Sequence, residues 1–378
     1  MKTRHAALVM MFLLGGCDCG PVPGKDGGSG GGAVGGSGGG AVGGGGGSST
    51  GGGGGGQGLE DGGADAGRSY DCHAFDVPSG WTIESGYRAA VVATADAGLV
   101  EPVALAFAQG AYGGQLYVVN QGNNSVVSLD LATRETSRSF QDGGPAPVLL
   151  TTITWDERSV FDGRLYVGDQ GSNSDGDSRL YRLSASGELA FVRAGPAPGF
   201  DDIFGLAFTP ASSDWPVGLL VSGDTDSASA QWGLMSADGG VAVFSYGLAG
   251  VEGITVDPLA RYGARVLASR PAGGGYSGDD TISLVLPDGG SGGAIASGLP
   301  GVHAVTMAPP GPFRGLAWAA SWSSQTIFGV ELDGGVTTIA SGLQLTNYDG
   351  NILAFSPDGR VLMVADRLAN RIVCIEAQ

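Results

Sequence analysis

Residues 347–378 read NYDGNILAFSPDGRVLMVADRLANRIVCIEAQ. An apolar run (Ile352–Phe355) meets a turn (Ser356–Gly359), and a second apolar run (Val361–Ala365) meets a polar loop (Asp366–Asn370) and then a third run (Arg371–Glu376). Short β-rich runs bounded by Pro, Asp and Gly are strand signals. The pattern recurs five times upstream. Its opening triplets are Leu105–Phe107, Ile153–Trp155, Leu206–Phe208, Ile254–Val256, Val305–Met307 and Leu353–Phe355, starting 48, 53, 48, 51 and 48 residues apart. A period near fifty with about four short strands per unit marks propeller blades. The spacing therefore predicts an all-β, six-bladed β-propeller.

Second strands are expected at 116–119, 165–167, 219–221, 265–268, 317–320 and 361–364, with third strands following each. Asp-Gly-Gly at 238–240, 288–290 and 333–335 suits tight hairpins that need positive φ. The last unit ends before a fourth strand, while Ala89–Ala93 is a β-branched run with no unit of its own. It is expected to complete the sixth blade and close the ring, because an unpaired edge templates aggregation.

Upstream, residues 20–69 are almost all Gly, Ala, Ser and Asp, with no apolar side chain larger than Val except Leu59. Such a segment buries no core and reads as a disordered tether, with a typical reach of about 40 Å. Before it, Lys2, Arg4 and His5 precede an apolar stretch, Ala6–Leu14, and then Gly15-Gly16-Cys17. This is the plan of an export signal, too short to remain as a membrane span. Leu14-Gly15-Gly16-Cys17 resembles the lipobox of bacterial lipoproteins, which implies lipid on the Cys17 thiol and removal of residues 1–16. The domain reading is a signal peptide at 1–16, a lipidated cysteine and glycine-rich linker at 17–69, and the propeller at 70–378. The location expected is the bacterial cell envelope, periplasmic or surface, with the membrane as partner through the anchor.

The formal charge is −18, and loss of residues 1–16 removes two positive charges. Such a surface repels phosphate backbones, so nucleic acid is not an expected partner. The export route permits disulfides. Cys72 lies just before the first strands and Cys374 in the final strand, and a ring brings those ends together. A Cys72–Cys374 bridge and a buried free thiol at Cys374 both fit that placement. Cys19 stands beside the lipid position with no assigned mate.

The run ILAFSPDGRVLMVADRLANRIVCIEA, with LYVVNQGNNSVVSLD repeating its second half, resembles NHL-type and gluconolactonase-type blades. The resemblance spans about 85–378 at the level of the blade. It implies a superfamily holding lactonases, sugar dehydrogenases and binding scaffolds, so function has to be read from the site. Two residues before each triplet stand Val103, Thr151, Phe204, Glu252, His303 and Asn351, with Asp202 and Asp349 two residues earlier in their blades. Asp169, Asp224 and Asp366 open outer loops on the same face. Glu252, His303, Asn351, Asp202 and Asp349 are the candidate ligands of a metal ion or other group in the channel, a divalent cation such as calcium being one option. A hydrated polar channel explains the same residues without an ion.

In the gluconolactonase-like family a glutamate, asparagines and an aspartate occupy such places. Val251-Glu252-Gly253 and the strand opening at Asn351 look like two of its motifs, whereas Val103 stands where the resemblance implies the aspartate. A quinone-dependent dehydrogenase would need basic residues at the inner-strand starts, and these offer none. Trp322 could stack on a sugar or pack on the next blade. The expectation is a monomeric, lipid-anchored binding or scaffold module for a protein, peptide or sugar ligand. The alternative is a metal-dependent, lactonase-like hydrolase.

Overall fold

A computed structural model describes Tyr70, Cys72 and residues 78–378, apart from 142–144, 173–176, 195–201, 213, 225–230, 245–250, 264, 271–279 and 347–349. The expected signal peptide at 1–16, the expected lipidation site Cys17, Cys19, the glycine-rich stretch read as a tether and Asp349 lie outside the described residues.

Six antiparallel sheets form the six blades. From the axis outward, the first holds Pro102–Ala108, Gln115–Asn120, Ser125–Leu129 and Thr136–Arg138. The second holds Leu150–Trp155, Leu165–Asp169, Arg179–Leu183 and Glu188–Ala194. The third holds Asp202–Phe208, Leu219–Asp224, Gln231–Met235 and Val241–Phe244, and the fourth Ile254–Val256, Val266–Arg270, Thr281–Val285 and Ser291–Ser297. The fifth holds Val302–Met307, Ala317–Ser321, Thr326–Val330 and Val336–Ser341. The sixth holds Leu353–Phe355, Val361–Asp366 and Arg371–Ala377, with Tyr87–Ala93 as its outermost strand.

That last pairing closes the ring as expected. Tyr87 faces Ala377 and Ala93 faces Ile372 in antiparallel register, with one bulge between Val91 and Ala93. Two short strands were not legible in the sequence. Phe140–Gln141 adds a parallel fifth strand to blade two, and Thr82–Ile83 an antiparallel one to blade five. Pairs of two residues carry no periodicity to read.

Burial runs radially and explains the composition of each strand. Second strands are sandwiched between neighbouring blades and buried on both faces, as in Leu165–Asp169, Ala317–Ser321 and Val361–Asp366, so they read as continuous apolar runs. Outer strands lie at the rim, and Thr136–Arg138 and most of Ser291–Ser297 are exposed. The three Asp-Gly-Gly turns follow one plan. Gly239, Gly289 and Gly334 take φ of +84°, +89° and +86°. In each turn the aspartate Oδ1 accepts the N–H of the second glycine, at 3.1, 2.9 and 2.9 Å. A positive φ at the first glycine is what glycine allows without steric cost.

The largest apolar cluster lies where the two ends of the domain meet. It joins Tyr70, Cys72 and Ala89–Ala93 to blades five, six and one. At its edge Phe313 packs on Tyr87, Trp318 and Phe355, with ring centroids 5.0–6.0 Å apart. Cys72 and Cys374 are bonded, with Cα atoms 5.9 Å apart across 302 residues of sequence. Beside them Glu376 pairs with Arg88 at 2.5 Å and accepts the Cys72 N–H at 3.2 Å. The Tyr70 hydroxyl donates to the Gly114 carbonyl at 3.0 Å, and its ring meets Phe107 edge-on. Among the described residues no helix is long and apolar enough to cross a membrane.

Candidate functional site

The inner strands carry β-bulges, and the bulges fall on the positions singled out above. Register shifts lie between Pro102 and Ala104, Leu150 and Thr152, Ile203 and Gly205, and Val302 and Ala304. The extra residues are Val103, Thr151, Phe204 and His303. In blades four and six the regular strand begins only at Ile254 and Leu353, so Glu252 and Asn351 precede it. A bulge re-aims the side chain it carries, and nothing in a strand's local sequence announces one.

The backbone at these positions is stitched from blade to blade. The Thr151 hydroxyl donates to the Ile203 carbonyl. Ser222 donates to the Glu252 carbonyl and Ser269 to the His303 carbonyl, each at 2.6 Å. The Leu105 N–H donates to the Asn351 carbonyl at 2.9 Å, linking blade one to blade six. Ser222 and Ser269 sit in second strands, each one residue beyond the end expected from the sequence. The residue after each ring position has to be small where the next blade leans on it. A β-carbon on Gly205 or Gly253 would collide with the Glu252 or His303 carbonyl respectively. The glycine of Val251-Glu252-Gly253 thus has a packing role.

The side chains divide into two groups. Val103 and Thr151 are fully buried, and His303 is 1 % exposed. Burial pushes the His303 imidazole down to about 4, against a slight opposing pull from its contact with the Gly301 carbonyl, which lies 3.4 Å from Nδ1. His303 is therefore neutral at pH 7. Phe204, Glu252, Asn351 and Asp202 are half-buried. Among the described residues no group of three His, Cys, Asp or Glu side chains is placed to hold a metal ion. Asp202, Glu252 and His303 do not by themselves meet that requirement. The axis is also obstructed. Gly350, entering blade six, packs across to blades two and three, where a β-carbon would collide with the Thr151 carbonyl and lie 3.3 Å from that of Phe204.

The carboxylates of Asp169 and Asp366, which open outer loops, are held by backbone N–H groups. Asp169 is fully buried and accepts the N–H groups of Val148, Leu149 and Gly171 at 3.0, 2.7 and 3.0 Å. Asp366, also buried, accepts the Gln344 N–H at 2.6 Å and pairs with Arg371 at 2.7 Å. Asn120 holds the Val100 N–H in the same way at 3.2 Å. Each ends a second strand and staples the loop arriving at its own blade, because a buried carboxylate must find donors and the loop backbone supplies them. For Asp224 only the strand pairing, with Asp202, is described. Trp322 packs against the closing cluster. In the described part of the polar loop 169–177 of blade two, Asp177 accepts the Ser172 N–H at 2.9 Å, an ordinary turn contact.

Sequence reading missed one cation on this face. Arg367 follows Asp366, is largely buried, and donates to Glu101 at 2.9 Å and to Gln121 and Thr346. Its signal was present, since it occupies the place after the second strand that Gln121 and Gln170 hold in blades one and two.

No family model and no curated protein matches the sequence. Among solved structures, a gluconolactonase from Xanthomonas campestris aligns with a TM-score of 0.55 at 13 % identity, over 78 % of this chain and 91 % of its own. A PQQ-bound aldose sugar dehydrogenase from Streptomyces coelicolor aligns at 0.53 and 18 %, over 79 % and 100 %. The PQQ domain of a pyranose dehydrogenase from Coprinopsis cinerea aligns at 0.54 and 13 %, over 81 % and 99 %. At such identities the likeness is one of fold.

Proposed function

We propose that this propeller is held to the bacterial envelope by lipid on Cys17 and a glycine-rich tether, and that it serves as a binding module. The observation that carries the reading is the state of the inner-strand starts. Their carbonyls are taken up by Thr151, Ser222, Ser269 and Leu105, His303 is neutral and enclosed, and Gly350 obstructs the axis. A metal-assisted hydrolase needs an open coordination position and a water with room to attack. A ring committed to joining its blades supports binding elsewhere on the molecule.

The second reading is a metal-dependent, lactonase-like hydrolase. In its favour, Glu252 and Asn351 stand half-buried at the starts of two blades, and a gluconolactonase is among the structures of like fold. One experiment separates the two. The mature chain is assayed on aldonolactones with calcium, zinc or manganese added, beside Glu252→Ala. The module reading expects hydrolysis at the uncatalysed rate in both proteins. Turnover that Glu252→Ala abolishes would establish the hydrolase instead.

The anchor has its own test. Cys17→Ser is expected to move the protein from the membrane fraction to the soluble fraction and to remove labelling by a palmitate analogue. Retention in the membrane fraction with labelling intact would overturn the lipid assignment.

A further inference from the structure

At the opposite end of the inner strands the ring is not filled. In blades five and six the loops joining inner to second strand touch there, since a β-carbon on Gly359 would lie 2.6 Å from Pro309 Cγ. In blades two, three and four the equivalent loops leave a cavity of about 330 Å³, lined among others by Trp155, Arg158, Phe208, Ile254, Arg265 and Asn351. That volume falls in the range of small-molecule sites, about 300–1,000 Å³. Trp155, Phe208 and Val256 end their inner strands, whereas Asn351 precedes the inner strand of blade six. The space therefore reaches up the strands to Asn351, beside the obstruction at Gly350. It is a blind pit, open on the face away from the inner-strand starts.

Its chemistry is graded with depth. At the inner end Asn351 Oδ1 is buried and has no hydrogen-bond partner among the described residues. Leaving a buried acceptor unmet is unfavourable, so a donor brought by a ligand is favoured there. The middle is apolar, with Leu206, Phe208, Ile254 and Val256 in the wall. The indole N–H of Trp155 is also buried without a partner among the described residues. At the mouth stand two arginines and one glutamate. Arg265 donates to the Pro258 carbonyl at 2.6 Å, while Arg158 is exposed and makes no ion pair among the described residues. On a chain of formal charge −18, an uncommitted guanidinium at a cavity mouth marks where an anion is accepted.

We propose that the pit is a ligand site for a small amphipathic carboxylate. Its acid group stays at the mouth against Arg158, its apolar body lies along Phe208 and Ile254, and a hydroxyl at its far end donates to Asn351. The inference rests on the reading of the chain as a binding module and adds where it binds and what.

The probes are ω-hydroxyoctanoate, octanoate, which lacks the hydroxyl, and octanol, which lacks the acid. Each is titrated calorimetrically into the mature chain, and the recovered probe is checked for chemical change. Hydroxyoctanoate is expected to bind saturably and more tightly than either control. Arg158→Gln, an exposed change, is expected to weaken hydroxyoctanoate about tenfold and leave octanol unchanged. Asn351→Ala is expected to weaken it about fivefold and leave octanoate unchanged. Arg360→Gln, outside the pit, is expected to change neither. Absence of saturable binding, or binding indifferent to both pit variants, would overturn the site. If lactone turnover is also absent, that failure leaves the binding-module reading standing. A probe bound in the pit and chemically converted would instead overturn the module reading and keep the site.

Discussion

Replacing Cys72 and Cys374 together by serine is expected to lower the free energy of unfolding by about 3–5 kcal/mol. The bond joins residues 302 apart, so in the reduced chain the unfolded ensemble regains nearly the whole loop entropy of the domain. The chain-entropy relation gives about 5–6 kcal/mol for a loop of that length, and measured gains generally fall below it. The seam keeps other links. Tyr87–Ala93 remains paired with Arg371–Ala377, and Arg88 with Glu376. The variant should therefore fold to the same ring and unfold at lower denaturant. Urea unfolding of parent and double variant, read by tryptophan fluorescence, measures the difference. A change below about 1 kcal/mol would mean that the strand pairing alone holds the ends together.

Between pH 6.5 and about 4 the domain is expected to lose stability through His303, on the order of 3 kcal/mol over the window. The sign follows from proton counting. An unfolded histidine takes up a proton below its ordinary value of 6.5, while in the folded protein burial holds His303 neutral down to about 4. Across that interval the unfolded state binds more protons, so stability falls as pH falls; above it the contribution is fully present. His303→Leu should flatten this part of the profile, whatever its effect at pH 7. Unfolding free energies for both proteins at pH 7, 6, 5 and 4.5 give the two slopes. Equal slopes would show that the imidazole is not held neutral by the fold.

Much of the architecture was legible because its signals are local. The apolar second strands, the Asp-Gly-Gly turns and the unplaced run at 89–93 each follow from a few adjacent residues, and the structure places all of them as expected, extending the closing strand to Tyr87. The site was less legible. Position two before each triplet coincides with a bulge at Val103, Thr151, Phe204 and His303, which the local sequence does not announce. A slip of one residue turns side chains to the other face. Asp169 and Asp366 stand where the outer loops open, as read, but that each is buried against the N–H groups of an arriving loop depends on contacts about twenty residues away along the chain.

By itself, then, the sequence determined the number of blades, the order of strands within them and the strand that closes the ring, since period and turn chemistry are written along the chain. The tertiary structure alone decided which hydroxyl meets which carbonyl at the axis, that Gly350 obstructs one end, and that the other end opens beside Arg158. Those contacts join residues in different blades, 30 or more positions apart, and they depend on how the sheets pack around the axis.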